Sequence, residues 1–250
     1  MTTTDKVWKK QDLSTRFLEG VRGAVPLADE QIQVMLKIVG LASSPVRNFL
    51  DLGCGDGILG RSLLAEYPQA KGVFLDFSEP MIEAAKSKLS PQHPNVEFII
   101  ADFAQPHWAE AIAPQGPFDA IVSGFAIHHQ SDEIKRVIYG KIYELLTPGG
   151  IFLNLEHVSS PNQWIENLHD EFFLDSIYRF HQSKGSQKSR EELAQEYYHR
   201  PDKAANILAP METQCEWLRT IGFVNVDCFF KLFELAIFGG MKSRGTKVPG

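Results

Sequence analysis

The sequence predicts a doubly wound α/β protein built on a mostly parallel sheet. Three observations carry that prediction. Short apolar runs alternate with longer stretches of helical periodicity, and the first run opens directly into a glycine-rich turn. The 250 residues, 44% of them apolar, are enough for one substantial core, and two domains would be cramped. One domain with an elaboration is therefore expected.

A first helix is expected at Ala28–Leu41, with Asp29 and Glu30 favourable at its positive end. Strands follow at Phe49–Leu52, Gly72–Asp76, Val96–Ile100, Ala120–Ser123 and Ile151–Leu155. Between them fall helices around Ile58–Tyr67, Pro80–Leu89 and Glu133–Leu146. Ser78 is a natural N-cap for the second of these, and Ser131 with Asp132 for the third. "LTPGG", Leu146 to Gly150, stops that third helix and turns the chain into the fifth strand. From His157 to Pro210 the rhythm breaks. "WIENLHDEFFLDSIYRF" and "EELAQEYYHR", rich in aromatics and charge, flank the polar "HQSKGSQKSR", which predicts a helical insertion with a flexible loop folded over one end of the sheet. Near the C-terminus "FVNVDCFF" alternates like a strand, and "LFELAIFGG" reads as its neighbour.

Composition narrows the class of function. A net charge of −6 and a pI near 5.8 supply no general attraction for phosphate backbones, which disfavours nucleic acid as a partner. "MTTTDKVWKKQ" lacks a secretory apolar core, and the greasiest stretch, "FFKLFELAIFGG", is broken by Lys231 and Glu234. The expectation is a soluble, cytoplasmic protein without a membrane span. Cys54, Cys215 and Cys228 are odd in number and far apart, so they read as reduced thiols and not as a disulfide framework or zinc site.

The chemistry is concentrated in "FLDLGCGDGILG", Phe49 to Gly60, where four glycines occupy the last eight positions. Gly55-Asp-Gly57-Ile-Leu-Gly60 satisfies G-x-G-x-x-G, whose glycines let backbone approach a ligand closely. Asp51 qualifies that match: an acid pointing at the ligand would repel a phosphate and would suit a ligand with a positive end. Gly53, Gly55 and Gly57, at alternate positions after an apolar strand, are the first candidate binding residues.

"DLGCGDG" resembles the glycine-rich motif of class I S-adenosylmethionine-dependent methyltransferases, and the following motifs keep that family's order. "VFLDFS" ends a strand in Asp76, where the resemblance implies an acid on the ribose hydroxyls. "IIADF" puts Asp102 and Phe103 where the family contacts adenine, and "IVSGFAIHH" ends strand four beneath the methionine portion. Cys54, Phe77, Met81 and Ser123 are the further cofactor neighbours so implied. The resemblance covers roughly Asn48 to Leu155, together with the terminal strand pair. It implies seven strands with the last antiparallel, helices on both faces, and S-adenosylmethionine at the carboxyl ends of the strands. The expected organisation is one domain: an N-terminal helical region at 1–47, a cofactor-binding core at 48–156, a helical insertion capping the acceptor at 157–210, a C-terminal helix and strand pair at 211–241, and a tail at 242–250.

The sulfonium of such a cofactor supplies the reactive methyl, so the protein must align an acceptor and, for a hydroxyl, remove a proton. Candidate bases are His128 and His129 after strand four and His157 after strand five, while Glu156 is a candidate holder of a cationic amine. Paired histidines after a strand also serve simply to lead into the next helix. No metal is expected: His128, His129, Glu156, His157 and the "HDE" of His169, Asp170 and Glu171 lack compact ligand spacing. Trp164, Phe172, Phe173, Tyr178 and Phe180 can line an aromatic acceptor pocket tipped by Tyr197, Tyr198 and His199, or can pack the insertion as core.

The expected reaction is methyl transfer to nitrogen or oxygen of a small molecule, with a slight lean to an amine from the negative charge. "METQCEWLRTIGF" with "FFKLFELAIFGG" also resembles carboxy-S-adenosylmethionine synthases, which modify the cofactor for tRNA wobble-uridine chemistry. A noncatalytic S-adenosylmethionine-binding protein is a further alternative, against which the intact loop, Asp51, Asp76 and Asp102 argue. "SGFAIHH" lacks the Asn/Asp-Pro-Pro-aromatic run of enzymes that methylate a flipped base. Nothing in the sequence indicates an oligomer.

Overall fold

The computed structural model describes residues 22–43, 45–89, 93–199 and 205–245. The first part of the expected N-terminal region, residues 1–21, and the end of the tail, 246–250, lie outside the described residues.

Seven strands form one sheet in the order β3-β2-β1-β4-β5-β7-β6. They are β1 (Asn48–Leu52), β2 (Lys71–Asp76), β3 (Val96–Ile100), β4 (Phe118–Gly124), β5 (Leu146–His157), β6 (Phe223–Leu232) and β7 (Leu235–Lys242). The first five pair in parallel, and β7 runs antiparallel to both of its neighbours, β5 and β6. β1 is central and apolar on both faces, as a covered parallel strand must be. Leu50 and Leu52 join one core, and Phe49 joins the other. The reversal of strand order between β1 and β4 opens a crevice at their carboxyl ends, where such sheets bind ligands.

Helices cover both faces. On one side lie α1 (Ala28–Ala42), α2 (Ile58–Glu66) and α3 (Glu79–Lys88); Met35 and Val39 of α1 and Leu63 of α2 share a core with Phe49 and Phe74. On the other lie α4 (Trp108–Ile112), α5 (Asp132–Leu145) and α8 (Met211–Ile221), packed on Leu50 and Phe152 through Ile112, Ile138 and Leu218. The insertion contributes α6 (Gln163–Ser183) and α7 (Arg190–Tyr198). Ser131 caps α5 by accepting from the Ile134 N–H at 3.4 Å, while α7 starts in a reciprocal capping box of Ser189 and Glu192.

Two expectations need correction. Ser78 precedes α3 without making a side-chain cap, because its own N–H is turned to Asp76. "LTPGG" is not a simple turn before the fifth strand: Leu146 already pairs with Phe118, and the next pair is Ala120 with Ile151, so residues 147–150 bulge out between them. α4 was not foreseen, since five residues are too few to show a helical period. Among the described residues no helix is long and apolar enough to cross a membrane.

Candidate active site

The glycine loop is fastened to the end of β2. The N–H groups of Gly53 and Cys54 donate to the Leu75 carbonyl at 2.8 and 2.9 Å, and that of Gly55 to Asp76 Oδ2 at 2.9 Å. Gly53, Gly55 and Gly57 have φ of 67°, 53° and 78°, the left-handed region that side chains resist. Gly53 is constrained twice, because a β carbon there would stand 2.4 Å from that of Ala126. The turn after β4 thus lies directly against the loop after β1.

Asp76 is buried and uses its second oxygen to accept from the Ser78 N–H at 2.8 Å. Burial pushes its carboxyl up to about 6, although the N–H groups of Ser78, Gly55 and Phe77 favour the charged form. Beside it Ser78 Oγ is buried with no hydrogen-bond partner among the described residues. A buried carboxylate with lone pairs in reserve, next to an unsatisfied hydroxyl, fits the hydroxyls of a ribose.

Other expected cofactor residues hold the site from behind. Asp51 is buried, and its Oδ2 accepts from the Gly60 N–H at 2.7 Å, in the first turn of α2. The expectation that it points at the ligand is corrected to that extent, since the free amides at the helix start draw the carboxylate in. Ser123 is fully buried and donates to the Leu52 carbonyl at 2.8 Å, so its hydroxyl straps β4 to β1 instead of meeting a ligand. Cys54 packs in the core, and burial with Asp51 nearby pushes its thiol well above the ordinary range. Asp102 accepts from the Ala104 N–H at 2.9 Å and from Gln105 Nε2 at 3.2 Å, which shapes the turn after β3. Phe103 is buried in the core with a ring carbon 3.2 Å from where a Gly53 β carbon would lie. Met81 is buried on α3, and Phe77 is half-buried between Asp76 and Ser78.

The expected catalytic residues come together, with the His128 ring centroid 3.9 Å from that of His129 and 5.9 Å from that of His157. Ile127–His129 form a single turn after β4, and there His128 Nδ1 lies 2.5 Å from Glu156 Oε1 while the His128 N–H donates to Glu156 Oε2 at 3.1 Å. Glu156 also accepts from the His157 N–H at 2.9 Å and from Asn154 Nδ2 at 3.3 Å. It is therefore spent on orienting His128, which corrects its expected role as holder of an acceptor amine. Burial pushes its carboxyl up to about 7 against the bond from His157, the neighbouring histidines and the bond from Asn154. The network continues through Asn154 to the Tyr139 hydroxyl at 3.4 Å and on to Gln214 at 2.6 Å. Burial, and then His128, push His129 well below the usual histidine range. The end of the insertion closes over this turn, with the Ile207 N–H donating to the His128 carbonyl at 2.9 Å and the buried Lys135 donating to the Ile207 carbonyl.

His157 joins this cluster to a second one: its ring centroid lies 5.9 Å from that of His128, and its Nε2 lies 2.7 Å from Glu234 Oε2. His169 of α6 brings its Nε2 to 3.7 Å from the same oxygen. Burial would raise Glu234, but His157 and Ser160 bond the charged form and hold it below the usual carboxylate range. Sequence reading weighed His157 and His169 as ligands in separate groups and missed Glu234, Asn154, Tyr139 and Gln214. Only strand register brings Glu234 to His157, and no local pattern carries it.

The insertion aromatics divide. Phe173 and Tyr197 are buried and stacked at 5.7 Å in a small core with Leu174, Leu193 and Leu235, against which Phe125 and Tyr178 pack. Phe180 meets Gly23, and Phe172 packs against Phe233. Trp164 at 67% exposure, Tyr198 and His199 are on the surface. The expected pocket is corrected for these residues to a packing core and an outer face. Because Phe125 follows β4 directly, that core does stand over the carboxyl ends of the strands.

The strand order, with the glycine loop after β1 and the buried acid ending β2, is that of the class I methyltransferase fold. Comparison with known proteins agrees. Residues 49–150 match the methyltransferase domain family. Malonyl-[acyl-carrier protein] O-methyltransferase 1 of Ilyobacter polytropus is 33% identical over 115 residues, which are 46% of this chain and 40% of that protein. The chain thus spans well under two thirds of that relative. The carboxy-S-adenosyl-L-methionine synthase of Nautilia profundicola is 24% identical over 249 residues, covering 95% of this chain and 99% of that protein. An O-methyltransferase family protein from Burkholderia thailandensis shares the fold, with a TM-score of 0.60 at 18% identity over 95% of this chain and 64% of that one. Residues 49–150 thus carry a methyltransferase domain, and the domain match, the relatives and the shared fold together support a class I S-adenosylmethionine-dependent methyltransferase with S-adenosylmethionine as its cofactor.

Proposed function

We propose that this protein transfers the methyl group of S-adenosylmethionine to a nitrogen or oxygen of a small-molecule acceptor, with His128 receiving the proton. The carrying observation is the His128–Glu156 pair. Its turn begins directly after Ala126, whose β carbon lies against Gly53 of the glycine loop, so the turn that carries His128 adjoins the cofactor loop. Glu156 accepts a hydrogen bond from Nδ1–H of the neutral ring, which leaves Nε2 as the basic nitrogen. The bound cofactor supplies an activated methyl; the chain supplies Asp76 for the ribose, the glycine loop for close approach, and the capping insertion to exclude water. Because Glu156 is committed to His128, the lean toward an amine rests on net charge alone.

A second reading is cofactor modification of the carboxy-S-adenosylmethionine synthase kind. Its support is specific: that relative matches across nearly its whole length, whereas the O-methyltransferase matches over 40% of its own.

Calorimetric titration of S-adenosylmethionine and S-adenosylhomocysteine into the protein tests the site, with NADH as control. Mass spectrometry of reactions with a panel of phenols, carboxylates and amines then tests the transfer. Methylated acceptor that disappears in His128→Asn supports the proposal. Carboxylated cofactor formed from prephenate, without a methylated product, establishes the second reading, and cofactor binding with neither product leaves a noncatalytic binder.

A further inference from the structure

We infer that His157, His169 and Glu234 form a binding site for a divalent transition-metal ion of the zinc class, at the edge of the His128–Glu156 cluster, with the His157 ring centroid 5.9 Å from that of His128. His157 Nε2, His169 Nε2 and a Glu234 carboxylate oxygen all lie within 4.8 Å of one another. The Glu234 oxygen is the centre of the group, 2.7 Å from one imidazole and 3.7 Å from the other. Ligands at ~2.0–2.2 Å from a tetrahedral ion stand ~3.3 Å apart, so an ion requires the His157–Glu234 pair to open and the His169–Glu234 pair to close by roughly half an ångström each, and the two imidazole nitrogens, within 4.8 Å, to close by at most about 1.5 Å.

Donor chemistry selects the ion. Two imidazole nitrogens and one carboxylate oxygen suit zinc and its first-row neighbours, whereas magnesium and calcium favour all-oxygen sets. Three protein ligands leave at least one coordination position for water. His169 and Glu234 are buried at 2% and 4% exposure, while the His157 side chain at 15% gives an entry route.

The backbone that presents Glu234 is itself unusual. Leu232 pairs with Leu235, so Phe233 and Glu234 alone make the hairpin turn between β6 and β7. Such two-residue turns favour Asn and Gly because they need positive φ. Here Phe233 adopts φ 52°, with its ring against Phe172 of α6. Strain of this kind persists where surrounding structure enforces it, and it collects at ligand sites. The three ligands come from the end of β5, from α6 and from this turn, so the ion would pin the insertion to the sheet.

The test uses the full chain without an affinity tag, stripped with chelator and titrated with Co2+ as a coloured probe, then challenged with Zn2+. One ion per chain with visible ligand-field bands, displaced by Zn2+, is expected. Glu234→Gln and His169→Asn should weaken binding by well over the roughly tenfold typical of losing an outer partner, with S-adenosylmethionine binding retained as the readout of folding. Should either variant fail to fold, His157→Asn at the more exposed edge is read in its place. Absence of stoichiometric binding, or binding unchanged in the folded variants, overturns the inference and leaves a hydrogen-bonded His–Glu–His cluster. Methyl transfer is not part of this readout, so its failure elsewhere does not touch the result.

Discussion

Glu156 grips His128 at two points, with one carboxylate oxygen 2.5 Å from the ring Nδ1 and the other accepting the backbone N–H of the same residue at 3.1 Å. A side chain held by ring and backbone together has one orientation. That relationship makes Glu156 a positioning residue. Glu156→Gln should lower kcat by about 10²-fold, within the range for disabling a proton-transfer group, while leaving the calorimetric Kd for S-adenosylmethionine nearly unchanged. A parallel loss of cofactor binding would count against it.

The same carboxyl makes stability depend on pH. Its folded pKa of about 7 lies above its ordinary value of 4.5. The native state then holds a proton that the unfolded chain releases, a stabilisation complete below 4.5 and lost as pH rises through 7. Glu156→Gln lacks this dependence. Relative to wild type it should gain on the order of 1–3 kcal/mol between those limits, read from urea unfolding at each pH.

Asp76 predicts a pH profile for the cofactor. Ribose hydroxyls bond best to the ionised carboxylate, and this one protonates near 6. Affinity for S-adenosylhomocysteine should be flat above that value and fall roughly tenfold per unit below it. Asp76→Asn should bind more weakly and without that inflection in the same calorimetric series.

Gly53 and Gly185 make a contrasting pair. Both have positive φ, 67° and 78°, but an added β carbon meets Ala126 at 2.4 Å in the first case and nothing within 4 Å in the second. Gly185→Ala should cost about 1–2 kcal/mol for backbone strain alone. Gly53→Ala adds roughly 1–3 kcal/mol of overpacking and should also abolish cofactor binding in whatever protein folds.

Lys135 is buried with no exposed side chain and donates to Asp132 and to the Ile207 carbonyl. Lys135→Met keeps the bulk but orphans that carbonyl, at a cost of about 1–3 kcal/mol. Because Ile207 bonds to the His128 carbonyl, kcat should fall with the thermal midpoint. An unchanged midpoint would remove Lys135 from the support of this turn.

The core was legible where the signal was local. β1 to β3 begin and end within one residue of their expected places, because apolar runs bounded by glycine and acid report themselves. The tight glycine turn after β1 and the acid that ends β2 were legible for the same reason. What stayed hidden depends on register across the sheet. Asp51 could not declare from the sequence that its oxygen accepts from Gly60, nor Ser123 that its hydroxyl is taken by Leu52. Glu234 read only as a charge interrupting an apolar stretch. Its nearness to His157 exists because Leu235 pairs with His157 across two antiparallel strands.

The tip of a β-hairpin is ordinarily where a protein engineer would graft a peptide, since few contacts constrain it. Here that freedom is gone. With only Phe233 and Glu234 in the turn, a single added residue would rotate the carboxylate away from both histidines and detach the ring from Phe172. The loop at 184–189, on the far side of the insertion, carries no such obligation and is the graft point this architecture leaves open.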